Sequence, residues 1–184
     1  MQKLSKENAV LVVIDVQEKL ARVIDRIIDV QRNIERLIRG AAVLGIPALL
    51  TEQYVKGLGP TTEIIRTAFT ETHGYEPMEK LCFSSCGLEP FETKLESLNR
   101  RQILLCGIET HVCVYQTALD LLARGFEVHL VADAVSSRTA GNREIAIARM
   151  TDEGAKLTST EMALFEMTVT SGTDEFRAIS KLVK

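Results

Sequence analysis

The chain has 184 residues, 46% of them hydrophobic and 26% charged, with 22 basic and 25 acidic side chains giving a formal net charge of −3. At roughly 100–200 residues per domain, this length predicts a single domain over 1–184, and a chain of this size buries about 70% of its unfolded surface. The composition excludes disordered, collagen-like and coiled-coil classes, and the absence of a basic stripe argues against a nucleic-acid partner.

In chain order, Ala9–Val16 reads as a strand buried on both faces. Its apolar run stops at Asp15, short of a signal-peptide core, and no run reaches the ~18–20 residues that span a bilayer. A cytoplasmic protein without a membrane partner is expected. Ile27, Val30, Ile34, Leu37, Ala41 and Leu44 recur at helical spacing, with Gly45 as the stop. Ile46–Thr51 is a second strand, and Tyr54–Thr62 a loop punctuated by glycine and proline. A short helix over Glu63–Ala68 and a short strand over Met78–Cys82 follow, then a helix from Pro90 to about Leu98. Gln102–Gly107 is a strand, and Thr110 is placed to cap a helix that ends at Gly125. Glu127–Ala132 and Lys156–Thr160 are further strands, separated by a helix from Thr139 to Glu153; helices near Glu161–Thr168 and Asp174–Val183 close the chain. Strand–helix alternation from end to end predicts an α/β fold, a three-layer α/β/α Rossmann-like parallel sheet. In such sheets ligands sit beyond the carboxyl ends of the strands.

Three residues near those ends can carry chemistry. Asp15 follows six consecutive apolar residues, Ala9–Ile14; a carboxylate there needs a partner or a chain that has already left the sheet, and the plainer reading is a helix cap or surface charge. Cys113 falls in the first turn of the helix after Gln102–Gly107. Free amides and the helix dipole there favour a thiolate, whereas most such cysteines are buried and inert. Lys80, taken alone, reads as a solvated charge.

Together these residues lie in three motifs: VVIDVQ (Val12–Gln17), EKLCFS (Glu79–Ser84) and GIETHVCVYQTALDLLARG (Gly107–Gly125). In this order and spacing they resemble the isochorismatase-like cysteine hydrolase family, closest to the isochorismatase-domain subgroup whose substrates are largely unassigned. The resemblance runs from about Ala9 to Ala163. It implies an isochorismatase-like hydrolase fold and a catalytic triad of Asp15, Lys80 and Cys113. It also implies a cis peptide between Ile108 and Glu109, an oxyanion hole from the Glu109 and Cys113 amides, and self-association. On this reading Lys80 lowers the thiol pKa, Asp15 is the general base, and Cys113 forms a thioester with a small amide or related C–N substrate.

The departures from relatives are as informative. Nicotinamidase-like members hold a metal through an Asp-x-His pair after the second strand; here the segment reads Thr51-Glu52-Gln53-Tyr54, and His73, His111 and His129 are scattered. No metal and no cofactor are therefore expected. True isochorismatases lack the cysteine, so Cys113 argues against isochorismate. Leu20 stands where many relatives carry an aromatic residue. Gln53, Tyr54 and His111 are candidates for substrate binding, with strand-end packing or an exposed first turn as the plainer readings. Cys82 and Cys86 lack the second pair of a metal site, and Cys106 reads as core. Thr117, Asp120, Asp133, Ser136 and Arg138 read more readily as turn and backbone partners than as ligands. Two other classes stay open beside hydrolysis: a hydrolase-derived binding or interaction protein, and a thiol redox sensor.

Overall fold

The computed structural model describes residues 3–184. Its strands are β1 (Ala9–Ile14), β2 (Ala48–Gln53), β3 (Met78–Lys80), β4 (Gln102–Ile108), β5 (Glu127–Ser136) and β6 (Lys156–Thr158). All are parallel, in the order β3-β2-β1-β4-β5-β6. β1 and β4 lie at the centre, and every residue of both is buried. Covered on both faces, β1 shows a continuous apolar run instead of alternation.

One face carries α2 (Ile27–Val43), packed with α4 (Glu63–Thr72), α8 (Thr160–Thr168) and α9 (Asp174–Val183). α2 docks because Val30, Ile34, Leu37, Ile38 and Ala41 fall on one stripe and are all buried. The other face carries α5 (Glu89–Ser97), α6 (Tyr115–Ala123) and α7 (Ala140–Asp152). Two single-turn helices, α1 (Glu18–Ala21) and α3 (Val55–Leu58), pack on each other beyond the sheet.

Several boundaries differ from those read in the sequence. β1 stops at Ile14, not Val16, because Asp15 takes a left-handed backbone at φ +50° and turns the chain out of the sheet. β2 begins after Pro47 and runs on to Gln53; its polar end is tolerated because Glu52 accepts from the Thr61 amide (2.6 Å), the Thr61 hydroxyl (2.7 Å) and the Tyr75 hydroxyl (2.7 Å). β5 continues past Ala132 to Ser136 through a register shift opposite Leu105 and Gly107. Thr110 does not cap α6. It opens a π-helical turn, Thr110–Val114, and its hydroxyl is buried without a partner.

The strand order reverses between β1 and β4, so the carboxyl ends of these two strands open onto one crevice. Gly107 lies there at φ +120°, paired with Ile14, and a side chain at this position would collide with the Ile14 backbone.

Candidate active site

Asp15 projects from the end of β1 and is fully buried. Its Oδ1 accepts a hydrogen bond from Thr51 Oγ1 at 2.7 Å, and its Oδ2 from Lys80 Nζ at 2.6 Å. These donors converge through strand geometry. Thr51 is paired with Ile14, Gln53 with Lys80, and side chains two apart on a strand share a face. Thr51, Gln53 and Lys80 therefore project to one side of the sheet edge.

Lys80 is 2% exposed. Besides Asp15 it donates to the carbonyls of Phe83 (3.0 Å) and Cys82 (3.3 Å), which uses all three ammonium hydrogens. A buried charge held this way has its desolvation offset by one counter-charge and two dipoles.

Cys113, 5% exposed, lies in the π turn after β4. The Ile108–Glu109 peptide before that turn is cis. The Val112 and Val114 amides donate to the Glu109 carbonyl at 3.1 and 3.3 Å, and the Cys113 amide is not among them. Burial pushes the Cys113 thiol up to about 12, and the Asp15 charge adds to the rise; the Lys80 charge pulls it down and is outweighed. Lys80 thus acts on the thiol in the expected direction, and the burial that the sequence does not show outweighs it. The raised thiol lies beside a carboxylate able to take its proton.

The remaining candidates are placed as follows. Gln53 Nε2 donates to the Leu81 carbonyl at 3.0 Å, while its Oε1 is buried without a partner. Tyr54 is exposed, in a left-handed conformation, with its ring against Gly57. His111 Nδ1 lies 3.0 Å from Ser137 Oγ, on the β5 side of the crevice. Glu109 Oε2 accepts from the Arg138 amide (3.0 Å) and Arg138 Nε (3.1 Å), tying the turn that holds Cys113 to the loop after β5. Asp120 accepts from Ser84 Oγ at 2.5 Å, and Thr117 Oγ1 from the Ser85 amide at 3.0 Å. Asp133 caps the start of α8 through the Thr160 amide at 2.8 Å, and Ser136 Oγ donates to the Asp25 carbonyl at 2.7 Å. Sequence reasoning missed Thr51, whose only signal was a hydroxyl inside an apolar strand.

Among the described residues no group of three or more His, Cys, Asp or Glu side chains is placed to hold a metal ion. His73 contacts Thr72 and Ile46, and His129 contacts Glu127, so neither is hydrogen-bonded to Asp15, Lys80 or Cys113. The four cysteines are free, and burial raises Cys86 to about 11 and Cys106 higher still. No described helix is long and apolar enough to cross a membrane. Two clefts, of about 520 Å³ beside Phe69 and Met78 and about 320 Å³ beside Asp25 and Arg143, exclude Asp15, Lys80 and Cys113, whereas an open cleft of about 610 Å³ beside Leu81 and Leu88 is lined by Lys80.

Comparison with known proteins fits this geometry. A family model described as the isochorismatase domain matches residues 9–162. Isochorismatase domain-containing protein 2 of Danio rerio is 40% identical over 182 residues, covering 98% of this chain and 89% of the relative. A secreted isochorismatase effector of Phytophthora sojae is 39% identical over 185 residues, covering 99% and 87%. Among solved structures, the MAR1 ribonuclease of Caenorhabditis elegans has a TM-score of 0.91 at 37% identity, covering 99% of this chain and 92% of its own. With a family match over 9–162 and such relatives spanning nearly its whole length, the chain belongs to the isochorismatase domain family.

Proposed function

We propose that the protein is a cysteine hydrolase that cleaves a small amide or related C–N bond, using Cys113 as nucleophile, Asp15 as general base and Lys80 as the fixed cation. One observation carries this reading: a carboxylate held on both oxygens, by Thr51 at 2.7 Å and Lys80 at 2.6 Å, stands beside a buried thiol at the switch point.

Burial raises the Cys113 thiol, so the adjacent carboxylate is what takes its proton. Asp15 accepts it, an S–C bond forms, and the Glu109 and Cys113 amides hold the developing oxyanion. The tetrahedral centre collapses with cleavage of the C–N bond, and Asp15 returns the proton to the departing nitrogen. Water then attacks the thioester; Asp15 takes its proton, the acid leaves, and the thiol is restored. Lys80 keeps the carboxylate oriented and balances the charge that accumulates on sulfur. No step calls on a metal or cofactor.

Gln53, Tyr54 and His111 are the residues proposed to meet the substrate. A reacting group enclosed this fully suits a small molecule better than a polymer, and a net charge of −3 disfavours a polyanion, whatever the nematode neighbour's name says of that protein. Self-association belongs to the same proposal, supported by the exposed apolar side chains of Leu81 and Phe83 just beyond Lys80. Four free thiols support a reducing, cytoplasmic setting, although the Phytophthora relative is named as secreted.

The test is incubation with a panel of small amides, acid quench and intact-protein mass measurement. An acyl adduct that maps to Cys113, with release of ammonia or amine, is expected. Cys113→Ala should abolish the adduct, and Asp15→Asn should slow release by about 10²–10⁴-fold. Amine release that persists in Cys113→Ala would overturn the reading.

A further inference from the structure

We infer that Asp120 is a positioning residue: through Ser84 it holds the two backbone carbonyls that aim the Lys80 ammonium at Asp15 and Cys113. This rests on the proposed role of Cys113 as nucleophile.

The argument begins with what holds Lys80. Two of its three hydrogen bonds go to the Cys82 and Phe83 carbonyls, in the segment that follows β3. That segment has little apolar anchorage, since the Leu81 and Phe83 side chains are 75% and 52% exposed. Its anchorage is polar. Ser84 Oγ donates to Asp120 Oδ2 at 2.5 Å and itself accepts from the Cys86 amide at 3.2 Å. The Ser85 amide donates to Thr117 Oγ1 at 3.0 Å, and Arg124 Nη2 to the Cys86 carbonyl at 3.1 Å.

The three anchors are Thr117, Asp120 and Arg124, spaced by three and four residues after Cys113. They thus lie along one face of α6 and its C-cap, which follow directly on the π turn that carries Cys113. The π turn and α6, continuous in the chain, therefore carry between them the sulfur and the clamp that fixes the cation opposite it. A short, charge-assisted bond such as Ser84–Asp120 is the strongest of these links. Releasing it frees the Cys82 and Phe83 carbonyls to turn outward. Lys80 then loses two of its three acceptors and its fixed distance to the thiol.

The test follows alkylation of Cys113 by iodoacetamide, resolved by peptide mapping from pH 6 to about 9, where reaction proceeds through the thiolate. Asp120→Ala and Ser84→Ala should each slow Cys113 at pH 8 by about tenfold, the scale of one buried hydrogen bond. The double variant should be no slower than either single one, because both remove the same link. Asp120→Asn keeps an acceptor for Ser84 and should recover most of the rate. In a Lys80→Met background, Asp120→Ala should have no further effect.

An Asp120→Ala protein that melts earlier yet keeps the wild-type Cys113 pH–rate profile, or reacts faster, overturns the proposal. So does an equal slowing with and without Lys80. If Lys80→Met itself leaves Cys113 unchanged, the catalytic reading falls, and the proposal with it. Should Asp120→Ala fail to fold, Ser84→Ala removes the same bond with a smaller change and decides the matter alone.

Discussion

Lys80 and Asp15 form an ion pair whose side chains are both fully withdrawn from solvent. Such a pair is costly to assemble, and leaving one member unpaired is costlier still, about 3–5 kcal/mol. Lys80→Met should therefore destabilise the fold by about that amount, read from urea denaturation at pH 7. Adding Asp15→Asn should return part of the loss, since the orphaned charge is gone. Simple additivity in this cycle would show that the two groups are not coupled. At this scale the sequence was partly legible. Asp15, Lys80 and Cys113 could be picked out through their motifs. Thr51 could not, because its hydroxyl meets Asp15 only through the register of two strands 36 positions apart in sequence. Nor could the balance of effects on Cys113 be read: the motif shows the lysine that lowers the thiol, whereas the burial that outweighs it exists only once the chain is folded.

Secondary structure was legible where one physical rule dominated. Doubly covered strands such as β1 and β4 announced themselves as apolar runs, and α2 by helical spacing. The rules failed at element ends near the site. There the sheet carries polar residues with specific partners (Glu52 with Thr61, Gln53 with Gln17), so composition suggested loop where the strand continues. The turn before α6 is π-helical, a local geometry for which Thr110 gave no cue. Gly107 shows how tightly the strand ends are held. Gly107→Ala would place a methyl against the Ile14 backbone at φ +120°, and should cost at least about 2–3 kcal/mol. Because Asp15 directly follows Ile14, acyl-adduct formation should fall along with the melting temperature. Gly141→Ala, in the first turn of α7 with nothing within 4 Å of the added carbon, is the matched control. It should be neutral or raise stability by about 0.5–1 kcal/mol. Equal melting temperatures for the two variants would contradict this account of the switch point.

Across the whole molecule the two ends of the sheet are specialised differently. The carboxyl end holds the thiol, carboxylate and ammonium. The amino end holds a polar cluster with a structural task. There Glu127 Oε1 accepts from Gln102 Nε2 (2.9 Å) and lies 2.7 Å from His129 Nε2, while Oε2 pairs with Lys156 Nζ at 2.8 Å. Gln102 in turn binds the Ser5 amide (2.9 Å) and the Lys3 carbonyl (2.9 Å), so the cluster joins β4, β5, β6 and the segment before β1. Burial alone would raise the Glu127 carboxyl, but hydrogen bonds from Lys156, His129 and Gln102 outweigh it and hold the group down at about 2. An unfolded glutamate titrates near 4.3, so between those values the unfolded chain binds more protons than the folded one. The stabilisation is complete above about pH 4.3 and is lost as pH falls towards 2. Urea midpoints of the wild type should drop more steeply over this window than those of Glu127→Gln, with the two curves parallel at pH 6–8. Because the cluster is partly exposed, added salt should narrow the difference. Parallel curves throughout would mean that the amino end is held by apolar packing alone, and that the strands meeting beneath the site do not depend on this charge cluster for their alignment.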